Sequence, residues 1–282
     1  MKPLGHLGID ELRVPPGQEW TDEARAWRFL RLETGVAYWL DPAKPRCFAE
    51  GEMLVLAPGI KAVVRASQLA EATLHGFSFD PDLLCGFFTI AERHLIENGG
   101  TDAFGPVTFL PSTHPVTQRL AEAIEAHSVS HPLAERVELL GIAALFFGEG
   151  VTSRRPTAQL NSAHERFEQI ISYMPDLELI HHTPEQLAAL CGCSARHFNR
   201  LFHARFGEST RERQADLRLL QARHLLATTD DKITQIALGS GYRTLSLFNA
   251  LFKRRFGMSP SAWRQKQAAQ SAAHAPGAHD GN

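Results

Sequence analysis

Between Trp27 and Phe79, apolar and polar positions alternate in short runs: VAYWL at 36–40, MLVLA at 53–57, IKAVVRA at 60–66 and ATLHGFSF at 72–79. A period of two with β-branched and aromatic enrichment, broken by the turn signals DPAKP and APG, predicts an antiparallel sheet or small barrel. From Pro81 the period lengthens. PDLLCGFFTIAERHLIENGG sets apolar residues at helical spacing and stops at a glycine pair. After an extended VTFLP come two helical patterns, near 116–126 and 132–147. In the second, Leu139, Leu140, Ile142, Leu145 and Phe146 form an apolar stripe, which fits either plain core or packing against a second copy of the chain.

Gly148 to Ser162 (GEGVTSRRPTAQLNS) is polar and aperiodic, as an interdomain linker is. Beyond it helical periodicity dominates, with segments expected at 164–174, 184–190, 195–206, 211–227, 233–238, 245–256 and 260–267. The last residues, 268–282, are low in complexity and read as a disordered tail. The expected organisation is therefore a domain over 1–147, a linker over 148–162, a helical domain over 163–267 and the tail.

Within the helical domain one phrase occurs twice. FNRLFHARFG (198–207) and FNALFKRRFG (248–257) are identical at seven of ten positions. Phe198, Leu201, Phe202 and Phe206 fall on one helical face, as do Phe248, Leu251, Phe252 and Phe256. The outward positions carry groups able to bond bases or phosphates: Arg196, Asn199, Arg200 and His203 in the first copy, Ser246, Asn249 and Lys253 in the second. Each copy opens with an N-cap candidate, Ser194 or Thr244, and closes at Gly207 or Gly257. Ahead of each lies a short helix and a glycine turn, PEQLAALCGCS and KITQIALGSGYRT, in which Leu187, Ala188 and Leu190 are matched to Ile236, Ala237 and Leu238. Helix, glycine turn, second amphipathic helix is the helix-turn-helix arrangement, present in tandem. The helix between them is long enough to set two recognition helices about one DNA turn apart.

Charge supports this division. The 282-residue chain has a net charge of −2, but Met1–His182 holds 15 Lys and Arg against 24 Asp and Glu, whereas Thr183–Asn282 holds 14 against 7. A basic C-terminal module points to a polyanionic partner for that part alone. Four scattered cysteines (Cys47, Cys85, Cys191, Cys193) give neither a disulfide framework nor zinc-ligand spacing, and a cytoplasmic setting is expected. Neither a secretory signal nor a membrane-spanning run is expected, the apolar run 139–147 being far too short.

The run from Leu187 to Arg264, including SARHFNRLFHARFG, KITQIALGSGY, LFNALFKRRFG and MSPSAWR, resembles the AraC/XylS family of bacterial transcription regulators. The resemblance implies an α+β chain: an N-terminal reduced cupin-like β-sheet or barrel with helices, then an all-α domain with two helix-turn-helix units joined by a linker helix. It implies a transcription regulator, more often an activator, whose partners are double-stranded DNA, a second copy of the chain, a small-molecule effector and RNA polymerase. Carried over by position, base reading falls on Arg196, Asn199 and Arg200, and on Leu245, Ser246 and Asn249. Many members carry arginine where this chain has Ala250. Direct reading is therefore expected mainly from the first unit, with Lys253, Arg254 and Arg255 anchoring the second to phosphates.

WRFLRLETGVAYWL and GEMLVLAPG resemble the family's sensor domain over about 20–110. Trp27, Tyr38, Trp39, His75 and Phe77, with Phe48, either line an effector pocket or fill the core. No His-x-His pair is present for a cupin metal, so no cofactor or metal is expected. Two enzymatic alternatives remain, a cupin-type enzyme and a DNA-repair alkyl acceptor, the latter needing an activated cysteine thiolate.

Overall fold

The computed structural model of the protein describes residues 4–23, 25–41, 45–98, 105–148 and 162–273. By contacts the chain forms two units, Met1–Pro81 with Leu95–Arg155 and Asp82–His94 with Pro156–Asn282.

The first unit is built on β1 (Asp10–Val14), β2 (Glu19–Asp22), β3 (Trp27–Thr34), β4 (Ala37–Trp39), β5 (Arg46–Phe48), β6 (Met53–Leu56), β7 (Ala62–Ala66) and β8 (Ala72–Phe79). After α1 (Ile90–Glu97) come β9 (Val107–Leu110), α2 (Pro115–Ala126) and α3 (Pro132–Gly148). The strands form two antiparallel sheets, in the orders β1-β8-β3-β6-β9 and β2-β7-β4-β5. Alternation along each strand sorts the side chains. Leu30, Leu32, Leu54, Leu56 and Leu74 of the larger sheet join Trp20, Trp39, Phe48 and Val64 of the smaller one in a single apolar cluster. The opposite face of β3 and β8 carries Trp27, Phe29, Phe77 and Phe79, on which Phe146 and Phe147 of α3 pack edge-on or tilted. The apolar stripe of α3 is thus largely core: Leu139, Ile142, Ala143 and Phe146 are fully buried, while Leu133 and Val137 on the same helix are exposed.

The second unit holds α4 (Ala163–Tyr173), α5 (Pro184–Leu190), α6 (Ala195–Phe206), α7 (Thr210–Thr228), α8 (Ile233–Gly239), α9 (Leu245–Phe256) and α10 (Pro260–Ala273). Most of these helices begin where a side chain can satisfy free backbone N–H groups. Ser162, Thr183 and Ser209 each form a reciprocal capping box, and Pro184 sits at the first position of α5. One core runs through the unit, including Phe167, Ile171, Leu187, Phe198, Phe202, Leu217, Leu220, Ile236, Phe248 and Phe252.

These elements realise the α+β class, with antiparallel sheets first and helices after. Four differences from the sequence-based expectation have physical reasons. β1, β2 and β5 are short and carry few apolar residues, so their alternation is faint. No helix starts near Pro81: a 3-10 turn spans Pro81–Leu83, Gly86 takes φ +84°, and α1 begins only where Thr89 and Glu92 cap each other reciprocally. The segment Asp82–His94, expected within 1–147, folds with the helices: Ile90 lies in their core and donates its N–H to Met174 O at 3.1 Å. Finally, α10 runs to Ala273 rather than 267, through an Ala-rich sequence of high helix propensity. Most of the expected linker and the rest of the expected tail lie outside the described residues.

Candidate nucleic-acid interface

The two tandem units share their turn chemistry. α5 is C-capped by Cys191, with Gly192 at φ +64°; Gly192 N–H donates to Ala189 O at 3.0 Å and Cys193 N–H to Ala188 O at 3.0 Å. α8 ends in the same way, with Gly241 at φ +83° and bonds from Gly241 N–H to Leu238 O and from Tyr242 N–H to Ala237 O. Each is a Schellman-type end, and its left-handed residue has to be glycine to avoid the cost of a Cβ there. The turns set Leu187 and Ala188 against Ile236 and Ala237, as expected. Leu190 and Leu238 do not match: they stand two and three residues before their glycines, and both are exposed. A one-residue insertion, Arg243, keeps the second turn a residue longer before its cap.

The recognition helices then begin at Ser194 and Thr244, whose hydroxyls each accept an N–H three residues on. Both end in left-handed glycines, Gly207 at φ +74° and Gly257 at φ +79°. Phe198, Phe202 and Phe206 are buried, and so are Phe248, Phe252 and Phe256. This burial fixes which residues face out. Arg196, Arg200 and His203 on α6 are exposed, as are Leu245, Ser246, Asn249, Lys253 and Arg254 on α9.

Three partners refine this picture. Asn199 is only half-buried rather than exposed, and its Oδ1 accepts a bond from Thr210 Oγ1 at 3.0 Å. Arg200 Nη2 lies 3.2 Å from His197 Nδ1. Arg255, expected on phosphates, is instead held by Asp216, at 2.5 and 3.3 Å, and lies 3.6 Å from Asp82. It braces α9 against its own unit. Sequence periodicity gave no sign of this, because both carboxylates are remote in the chain. α7, with 19 residues and so about 28 Å long, lies between the units in sequence and gives Leu217, Leu219, Leu220, Ala222 and Leu226 to the core.

The residues expected to line an effector pocket do not surround one cavity. Trp27 and Phe77 lie on the α3 side of the larger sheet, Trp27 donating its indole N–H to Ile96 O and Phe77 stacking on Phe29 at 4.7 Å. Trp39 and Phe48 lie between the sheets, on the other side. His75 is half-buried, 4.0 Å from Glu33. Strand alternation puts these residues on opposite faces, and that is the physical reason they do not converge. A surface groove of about 490 Å³ lies on the smaller sheet, lined by Tyr38 and Trp39 with Arg46, Cys47, Arg65 and Leu69.

Burial pushes the Cys85 thiol up to about 12 and the Cys191 thiol up to about 11, away from the thiolate an alkyl acceptor requires. Among the described residues no group of three or more His, Cys, Asp or Glu is placed to hold a metal.

Residues 187–266 match the family model of a helix-turn-helix domain. The transcriptional activator RhaS of Enterobacter sp. (strain 638) is 32% identical over 146 residues, 51% of this chain and 50% of that protein. The virulence regulon transcriptional activator VirF of Yersinia enterocolitica is 26% identical over 238 residues, 83% of this chain and 87% of that protein. The DNA-binding domain of AdpA, solved in complex with a target DNA, is 31% identical and covers 40% of this chain and 98% of its own, with a TM-score of 0.32. The helix-turn-helix region of the chain is similar to that of AraC/XylS-type activators. The matched stretch runs from within α5 into α10 and so takes in both glycine turns and both of the matching helices. Its match spans about half the length of RhaS. Among the described residues no helix is long and apolar enough to cross a membrane.

Proposed function

We propose that this chain is a sequence-specific DNA-binding transcription regulator, an activator whose state is set by a small-molecule effector. It is not an enzyme in this reading. Residues 163–267 bind double-stranded DNA, 1–147 sense the effector and pair two copies of the chain, 148–162 link the two and 268–282 form a tail. The setting is cytoplasmic, and RNA polymerase is the partner through which activation acts. Effector binding in 1–147 alters how two basic modules are presented to their half-sites.

One observation carries the reading. Two helices of matching sequence bury matching phenylalanines, and this leaves polar residues on the outward faces of both. A stripe of this kind, written once, is ordinary core packing. Written twice, with the same glycine turn ahead of each copy, it supports insertion of two helices into successive major grooves.

Of the residues expected at the effector site, Tyr38 and Trp39 are the two that share the groove on the smaller sheet. The raised thiols of Cys85 and Cys191 count against those two as the activated cysteine of an alkyl acceptor.

The test is a binding titration of the full chain against a duplex obtained by genomic footprinting, repeated at several salt concentrations. Phosphate engagement by several cations gives a straight, steep fall of log affinity against log salt, with a slope of about −0.9 per phosphate neutralised. A flat plot contradicts the proposal.

A further inference from the structure

The two recognition helices differ at matching positions in a way that divides base reading between them. The inference rests on the DNA-binding reading above and names what each unit selects. On α6 the positions Arg196, Asn199, Arg200 and His203 follow Ala195, which is half-buried and packs on the core; fifty residues on, α9 has Leu245, Ser246, Asn249, Ala250 and Lys253. Ser246 and Ala250 stand where the first unit has Arg196 and Arg200. Leu245, 38% exposed, stands where the first unit has Ala195.

The paired asparagines are not equivalent either. A bidentate contact to adenine requires the amide oxygen to accept from N6–H while the amide nitrogen donates to N7. In Asn199 that oxygen is engaged by the hydroxyl of Thr210, a fully buried residue. The position matching Thr210 is Pro260, which has no hydroxyl, and Asn249 is exposed. The same amide is therefore braced inward in one unit and available outward in the other.

We propose that the second unit selects A·T pairs, with Asn249 bonding adenine and Leu245 and Ala250 packing on thymine methyl groups, while the first selects guanine through Arg196 and Arg200. Asn199 is then a positioning residue of α6. An exposed leucine at the first turn of a recognition helix has no donor for guanine O6 or N7, but it complements the C5-methyl of thymine. Each bound copy thus reads an asymmetric segment, a guanine-bearing tract and an A·T tract with centres about 10 base pairs apart.

The experiment is selection of duplexes from a randomised pool by the full chain, followed by titrations on the enriched sequence. Guanines enriched in one tract and A·T pairs in the other are expected. Replacing thymine by deoxyuridine in the A·T tract removes only methyl groups and should weaken binding about fourfold per buried methyl, and Leu245→Ala should abolish much of that sensitivity. Asn249→Ala should relax selection at one adenine by about tenfold and leave the guanine tract untouched. Both side chains are on the surface, so the variants should fold, and their circular dichroism should match the parent. Guanines enriched in both tracts, insensitivity to deoxyuridine, or an unchanged adenine preference in Asn249→Ala each overturn the assignment while leaving DNA binding intact. No enrichment of any sequence overturns sequence-specific DNA binding itself, and the assignment with it.

Discussion

Arg93 and Asp176 form an ion pair in which each side chain is only 1% exposed. Asp176 also accepts from the Gly86 N–H at 2.9 Å and the Leu177 N–H at 2.7 Å, and Arg93 reaches Asp82 at 3.2 Å. A charge left alone at such a site is far more costly than the pair is stabilising. Arg93→Ala should therefore destabilise the helical unit by about 3–5 kcal/mol, and Arg93→Met combined with Asp176→Leu should recover much of that loss. Urea unfolding followed by circular dichroism checks both. By the same reasoning, a fragment beginning at residue 156 lacks Asp82–His94 and should unfold at lower urea than the helices of the intact chain.

Base reading is expected to be unequal between the units. Arg200→Ala removes an exposed guanidinium from α6 and should weaken specific binding by about 1–3 kcal/mol, whereas Ala250→Gly on α9 should weaken it far less. Footprinting titrations of the two variants decide this, and equal losses contradict it.

The turn glycines provide a test of local geometry. Alanine at Gly241 must adopt φ +83°, at a cost of about 1–2 kcal/mol. Alanine at Gly192 should cost more, because its Cβ would sit 2.9 Å from Arg166 Nη2. Arg166 Nε is the group that donates to the Cys191 carbonyl at 2.7 Å, closing the end of α5. Thermal melts of both variants give the ranking.

His94 predicts a pH effect. Its ring lies against Phe206 at 4.8 Å, and burial, with Arg213 and Arg205 nearby, lowers its pKa to about 4 from 6.5. The unfolded chain binds this proton more readily, so its contribution to stability is complete above about pH 6.5 and is lost as the pH falls toward 4. Replacing His94 by Gln should flatten the fall in melting temperature between pH 6.5 and 5. An unchanged slope contradicts the assignment.

Much of the helical unit was legible because its signals are local. Phe198 and Phe248, the caps Ser194 and Thr244, and the glycines at 192, 207, 241 and 257 each announce themselves within a few residues of chain. What escaped depends on distant partners. Nothing near Asp82 in the sequence shows that its segment joins the helices, since Arg93 finds Asp176 across 83 residues. Arg255 reads as a phosphate anchor until Asp216 is seen beside it, and Asn199 reads as Asn249 does until Thr210 is compared with Pro260. In the β-sheet unit Trp27, Trp39, Phe48 and Phe77 are buried while Tyr38 is exposed, and alternation alone did not say which of the two inward faces each buried ring would occupy. Trp27 and Trp39 fall on different ones.

The central claim is that two matching helices enter successive major grooves of one duplex. Guanine N7 methylation interference on the enriched duplex, supplemented by thymine-to-deoxyuridine interference, reads groove occupancy directly. Two clusters of interfering positions about 10 base pairs apart on one face are predicted, with Arg200→Ala erasing one cluster and Asn249→Ala weakening the other. A single cluster, or two on opposite faces of the duplex, would contradict it.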